Sequence, residues 1–372
     1  MAATPIRISV AQRPFGDWKE LTVSRSLLTA AGGFAFTAVN AGSFAVKRGD
    51  PVEIYWGPTQ AVLVGYVDSV ERSVDSKLVK VEGRAKTADL VDCSPDPKTP
   101  RQLTNQNILQ VVSAIVKPFG LRITVQSQKV DLGSIVAVLG EDAMRPIEVF
   151  TIDAGETAWE AISRAARLRG VLAYEPGDGS VMVTRPGVRH AEISLNEGVN
   201  MKAATRKESD EERFSTYLVP GQRPGSDDES YLTVTAEAGS ATDKAIKRFR
   251  PLVVLPEASM TKESAQLRAQ WEATVRAAES DKVTVTTPFW TQNMTDDPDR
   301  PLWRPNMLVF VRSKKLELDG DLLIQSATHN ATIDDSEGYS TSLELVRADA
   351  FQPKPVVEDD LDLNDDVPGE DR

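Results

Sequence analysis

Leu78-Val79-Lys80-Val81-Glu82-Gly83-Arg84-Ala85-Lys86-Thr87-Ala88-Asp89-Leu90-Val91-Asp92-Cys93 passes from strict alternation into a charged turn. Val79 and Val81 alternate with Lys80 and Glu82, the period of a half-buried strand. Ile6-Arg7-Ile8-Ser9-Val10 alternates in the same way. So does Val52-Glu53-Ile54-Tyr55-Trp56, which follows the turn signal Arg48-Gly49-Asp50-Pro51. Several short strands separated by turns predict a barrel or sandwich over residues 1–100.

From Arg101 the period lengthens. Ile108, Val111, Val112, Ile115 and Val116 recur at helical spacing behind Thr104 as N-cap, and Pro118 with Gly120 ends the run. A second helix opens at Thr157 with Glu160 three residues on, a capping-box pattern, and stops at Gly170. Val171–Tyr174, the turn Pro176-Gly177-Asp178-Gly179 and Val181–Thr184 read as a hairpin, so 101–195 is expected to be a small α/β domain. Strand character returns at Tyr217-Leu218-Val219 and Tyr231-Leu232-Thr233-Val234. A long helix follows over Thr261–Glu279 with Leu267, Trp271, Val275 and Ala278 on one face. Val283–Val285, Met307–Val311, Leu322–Ile324 and Tyr339–Leu345 complete a second β domain, 196–351.

The two β regions echo one another in order and spacing. Val52–Ile54, Val64–Val67, Leu78–Glu82 and Ala85–Asp89 are matched by Leu308–Val311, Leu323–Ser326, Ser342–Val346 and Arg347–Asp349. Identities mostly differ, and taken alone this does not separate duplication from coincidence among generic strands.

The chain has 372 residues, 41% hydrophobic and 26% charged, enough for two or three domains with real cores. No run approaches a membrane span, so no membrane anchor is expected, and Met1–Val10 lacks the pattern of a signal peptide. One cysteine, Cys93, and two distant histidines, His190 and His329, suggest no disulfide framework, no zinc site and no cofactor. Cys93 is expected to be buried and inert, and His329 a satisfied structural histidine. A net charge of -12 opposes a duplex-gripping surface. Half of it falls in 352–372, where eight acids face Lys354 and Arg372; this is read as a flexible acidic tail, and deleting Val356–Arg372 should leave the melting temperature nearly unchanged.

Gly83–Cys93, directly after its strand, resembles the most recognisable segment of the Mu-like phage baseplate hub family. Further resemblances follow in order: Gly65-Tyr66-Val67-Asp68, the helix ending in Arg169-Gly170-Val171-Leu172, Arg213-Phe214-Ser215-Thr216-Tyr217, Arg248-Phe249-Arg250-Pro251 and Trp303-Arg304-Pro305-Asn306. They span roughly Ile6 to Phe351. The resemblance implies an α+β, β-rich fold with two tail-tube-like β-barrels per chain and a trimeric ring presenting six. Such a homotrimer would match a hexameric tail tube to a trimeric central spike. It also implies tape measure and baseplate wedge proteins as partners, DNA only in transit, a place in the virion tail after synthesis in the host cytoplasm, and no enzymatic activity.

Arg84, Lys86 and Asp89, with Asp92, could form an interchain ion-pair set or a catalytic constellation, set against the reading that such a cluster behind a strand fixes a strand-to-loop turn through hydrogen bonds; Trp271 and Trp303 are candidate core or interface anchors. No Gly-x-Ser-x-Gly elbow or phosphate loop occurs. The paired carboxylates Asp296-Asp297 and Asp334-Asp335 raise a wall-degrading hydrolase as a second reading, set against solvated turns. A free carbohydrate- or protein-binding β module is the third.

Overall fold

A computed structural model of the chain describes residues 5–16, 18–39, 46–74, 77–126, 132–220, 238–256, 260–295, 297–333 and 338–355. Tyr231–Val234, Asp296, Asp334-Asp335 and the segment beyond 355 lie outside these residues.

The dominant feature is a 14-stranded sheet. In the first half Pro51–Trp56, Gln60–Arg72 and Leu78–Ala85 form an antiparallel meander. In the second half Met307–Ser313, Leu318–Thr332 and Tyr339–Val346 repeat that order. Each long middle strand carries a one-residue register shift, between Val67 and Ser69 and between Ile324 and Ser326. The echo in the sequence thus corresponds to a shared strand order.

Separate closed barrels are not what the ladders show. Trp18–Ser26 pairs with Gly33–Val39 on one side and with Leu318–Thr332 on the other, so the two halves run on as a single sheet. Among the described residues neither half closes on itself. The cause is the length of Leu318–Thr332: it pairs with Met307–Ser313 over Leu318–Leu323, then offers that same edge to Trp18–Ser26 over Ser326–Thr332.

Alternation along each strand builds the cores. Leu21, Val23, Phe34, Phe36, Val52, Ile54, Trp56, Val79 and Val81 point into the first one, where Trp290 stacks on Trp56 at 5.2 Å between ring centres. Val283, Val285, Val309, Val311, Leu343, Leu345 and Trp303 fill the second. Gly65 and Gly83 mark a close crossing: a Cβ on Gly65 would collide with the Arg84 carbonyl, and one on Gly83 with the Tyr66 carbonyl.

A third core belongs to the helices Ile108–Val116 and Ala158–Leu168, a pair formed by Gln102–Gln106 and Ile147–Thr151, and a small sheet in which Val181–Thr184 pairs with Leu172–Tyr174 and Ile123–Val125. Thr157 and Glu160 form the expected capping box. The first helix starts later than the sequence suggests. Asn107 is its cap, trading hydrogen bonds with Gln110 at 3.0 and 2.9 Å, because Thr104 is held in a strand opposite Val149.

Contacts gather the chain into two compact units, Met1–Arg206 with Val283–Val346, and Lys207–Lys282 with Arg347–Arg372. In the smaller unit Thr216–Pro220 is the central strand between Ala238–Thr242 and Pro251–Val253, and the Lys262–Glu279 helix covers them with Thr261 as its cap. The buried face of this helix is Ala265, Ala269, Glu272, Val275 and Ala278, while Leu267 is 52% exposed. Size explains the difference. Gly239 lies against the backbone at Ala265, where any Cβ would clash, so small residues let the helix sit close and turn Leu267 outward.

Candidate functional site

Arg84 stands near the end of its strand, and the bulge at Asp68 turns that carboxylate towards it. The Arg84 Nε–H donates to Asp68 at 2.7 Å, and the two terminal nitrogens form a fork on Asp92, at the end of the short Ala88–Asp92 helix, at 3.1 and 2.7 Å. The fork holds the Asp92 carboxyl below its ordinary range and raises the Arg84 guanidinium. Lys86 is half-buried, with its backbone N–H on the Val64 carbonyl, and Asp89 is exposed in the first turn of the helix. The cluster therefore fastens the strand-to-helix turn. All three of its ionic side chains are 41–50% exposed, so Arg84→Ala should cost about 1 kcal/mol or less. Thermal melts at low and high salt would show it, the difference from the parent shrinking as salt rises.

A second charged cluster is buried. Arg25 occupies a core position of Trp18–Ser26; one terminal nitrogen donates to the Pro176 carbonyl at 2.8 Å and the other meets His329 Nε2 at 3.2 Å. A guanidinium only donates, so Nε2 must accept and the proton sits on Nδ1. Nδ1 then donates to Thr341 at 2.9 Å, and Thr341 donates to the Phe289 carbonyl at 2.8 Å. Burial, with Arg25 and Arg304 nearby, holds His329 well below its usual value and hence neutral. Arg304 donates to the carbonyls of Pro176 and Ala61 at 2.7 and 2.9 Å.

Glu175 closes the cluster from the hairpin. One oxygen accepts the N–H groups of Gly177 and Gly179, and the other is buried without a hydrogen bond. Burial, opposed by Arg25, pushes this carboxyl up to about 7. Asn306, at φ 65°, donates to Gln126 and to the Arg185 carbonyl and accepts from Gly187. The cluster welds the 172–187 hairpin to the seam of the large sheet. Glu175 and His329 are 2% and 0% exposed, a packing arrangement and not an accessible acid–base pair.

Three family models match in succession: the N-terminal domain of Mu phage baseplate assembly protein GpP-like over 5–85, the second domain of baseplate hub protein gp44-like over 87–185, and the fourth domain of GpP over 261–354. The chain is 30% identical to baseplate hub protein gp44 of Escherichia phage Mu over 351 residues, 91% of this chain and 86% of that one. It belongs to the Mu-like phage baseplate hub family. Among solved structures it resembles the 43 kDa tail protein of prophage MuSo2 from Shewanella oneidensis, with 28% identity, TM-score 0.78, and 95% and 100% of the two chains covered. It also has the fold of the tail protein from Neisseria meningitidis MC58, with 18% identity, TM-score 0.72, and 95% and 99% covered.

In this baseplate hub chain two of the family-like segments meet. Arg213 pairs with Asp243 at 2.7 Å, Arg250 lies over the Phe214 ring at 5.1 Å, and the Arg250 N–H donates to Ser215 at 2.9 Å. Phe249 between them is 88% exposed. Trp271 is half-buried, donates its indole N–H to the Gln352 carbonyl at 2.8 Å and carries Arg268 over its ring. Trp303 is fully buried in the hub's own core and offers no surface to a neighbour. Cys93, expected inside, is exposed, because the chain leaves the short helix there in an extended conformation. Asp297 accepts the Asp299 N–H in a turn. Arg25 and Glu175 escaped sequence reading, although an arginine in an apolar slot of Leu21-Thr22-Val23-Ser24-Arg25 is a legible signal.

Proposed function

We propose that three copies of this hub protein form a ring with pseudo-sixfold symmetry, joining a hexameric tail tube to a trimeric central spike and leaving a channel for tape measure protein and then DNA. The observation that carries the reading is the repeated three-stranded meander, shifted in register at its middle strand both times. Two like modules per chain and three chains give six similar tube-facing elements, which reconciles threefold with sixfold partners. Baseplate wedge proteins would contact the outside. Arg84, Lys86, Asp89 and Trp271 remain at or near the surface and are the side chains we assign to subunit contacts. The role is structural and not enzymatic, and its place is the virion tail.

Light scattering on the purified protein should give three times the chain mass at micromolar concentration, alone or with the spike protein. A monomer under both conditions would overturn the ring. The channel adds a second expectation. The body up to 351 carries a net -6, and an acidic or neutral lumen lets a polyanion slide where a basic one would trap it. Gel shifts at low salt should therefore show no tight DNA binding.

A further inference from the structure

The larger unit contains a cavity of about 610 Å³ whose charged lining is Arg122, Arg189 and Arg304 against a single acid, Asp178. In a chain of net charge -12 that balance is inverted. Arg304 is fixed from behind by the Pro176 and Ala61 carbonyls. Arg122 pairs with Asp178 at 2.8 Å yet keeps 70% of its side chain exposed, and Arg189 has no ion pair among the described residues. Beside them stand the apolar side chains of Tyr55, Met182 and Met307, interleaved with uncharged polar groups such as Gln60 and Thr124. A ligand that fits both sets is an extended peptide with carboxylates on one side and aliphatic groups on the other.

The chain carries such a peptide. Glu358-Asp359-Asp360-Leu361-Asp362-Leu363 alternates, so in extended form Leu361 and Leu363 share one side and Asp360 and Asp362 the other. We propose that this cavity receives the acidic C-terminal segment, 356–372, of a second copy of the chain in the assembled ring. This rests on the ring reading above. Fully extended, the segment spans roughly 55 Å. Tethering raises its local concentration, so a weak contact suffices to link copies.

The test uses full-length protein in two forms. A light copy carries Asn364→p-benzoylphenylalanine, and an unmodified copy is uniformly heavy in nitrogen. Benzophenones insert readily at methionine. After mixing and irradiation, light-to-heavy cross-links are expected on the peptides holding Met182 and Met307. They should fall about tenfold when the heavy copy carries Arg122→Glu with Arg189→Glu, a reversal that sets like charges together, and should fall again when salt is raised on the unmutated pair. Cross-links confined to the light copy, placed elsewhere, or indifferent to both salt and charge reversal would overturn the proposal. Light scattering on the same sample separates the two levels: a trimer without these cross-links refutes the socket and leaves the ring, whereas a monomer refutes both.

Discussion

Arg25→Ala should remove on the order of 3–5 kcal/mol of folding stability, the cost of breaking a buried, hydrogen-bonded charge cluster by deleting one member. The fully buried guanidinium donates to His329 Nε2, and it also holds the Pro176 carbonyl. Without it His329 loses the group that fixes its tautomer, the hairpin carbonyl loses a donor, and Glu175 loses the charge that favours its ionised form. Urea unfolding at neutral pH measures the effect as a drop in midpoint at constant slope. A loss below about 1 kcal/mol would mean that the cluster is not what fastens the hairpin to the sheet.

The second large effect is a pH dependence that Glu175→Gln should abolish. The folded-state carboxyl titrates near 7, above its ordinary 4.5, chiefly because burial penalises the charge. A group raised in the folded state gives its full stability below the unfolded value and loses it as pH rises through the folded value. Between about 4.5 and 7 the parent should therefore lose on the order of 3 kcal/mol relative to the glutamine variant. Above pH 7 the variant should be the more stable of the two, since its neutral amide can still accept from Gly177 and Gly179. His329 works in the opposite sense. Its folded value is depressed, so its contribution is present above 6.5 and is lost as pH falls below that, in both proteins alike. Parallel stability curves for parent and Glu175→Gln from pH 4.5 to 8 would contradict the buried state of this carboxyl.

Much of the fold was legible because it rests on local signals. Alternation at Ile6–Val10, Val52–Trp56 and Leu78–Glu82 marked true strands, the Thr157–Glu160 box marked a true cap, and the 217–219 and 262–279 elements form where period and capping placed them. What failed depended on partners distant in sequence. Strand pairing between Trp18–Ser26 and Leu318–Thr332 turned two expected barrels into one open sheet. The close approach of Gly239 to the long helix turned Leu267 outward, and competition from Val149 moved the cap from Thr104 to Asn107. The Arg84 turn was readable from charges crowded behind a strand. The Arg25–Glu175–His329 cluster was not, because its members come from three segments that only the tertiary fold brings together.

The ring itself is tested most directly by averaging images of the assembled tail end around its axis and counting hub chains. Three copies of this chain are expected, with threefold symmetry at the spike side and six similar sheet lobes facing the tube. Six copies in true sixfold symmetry, or a hub layer that contains this chain without threefold order, would contradict it.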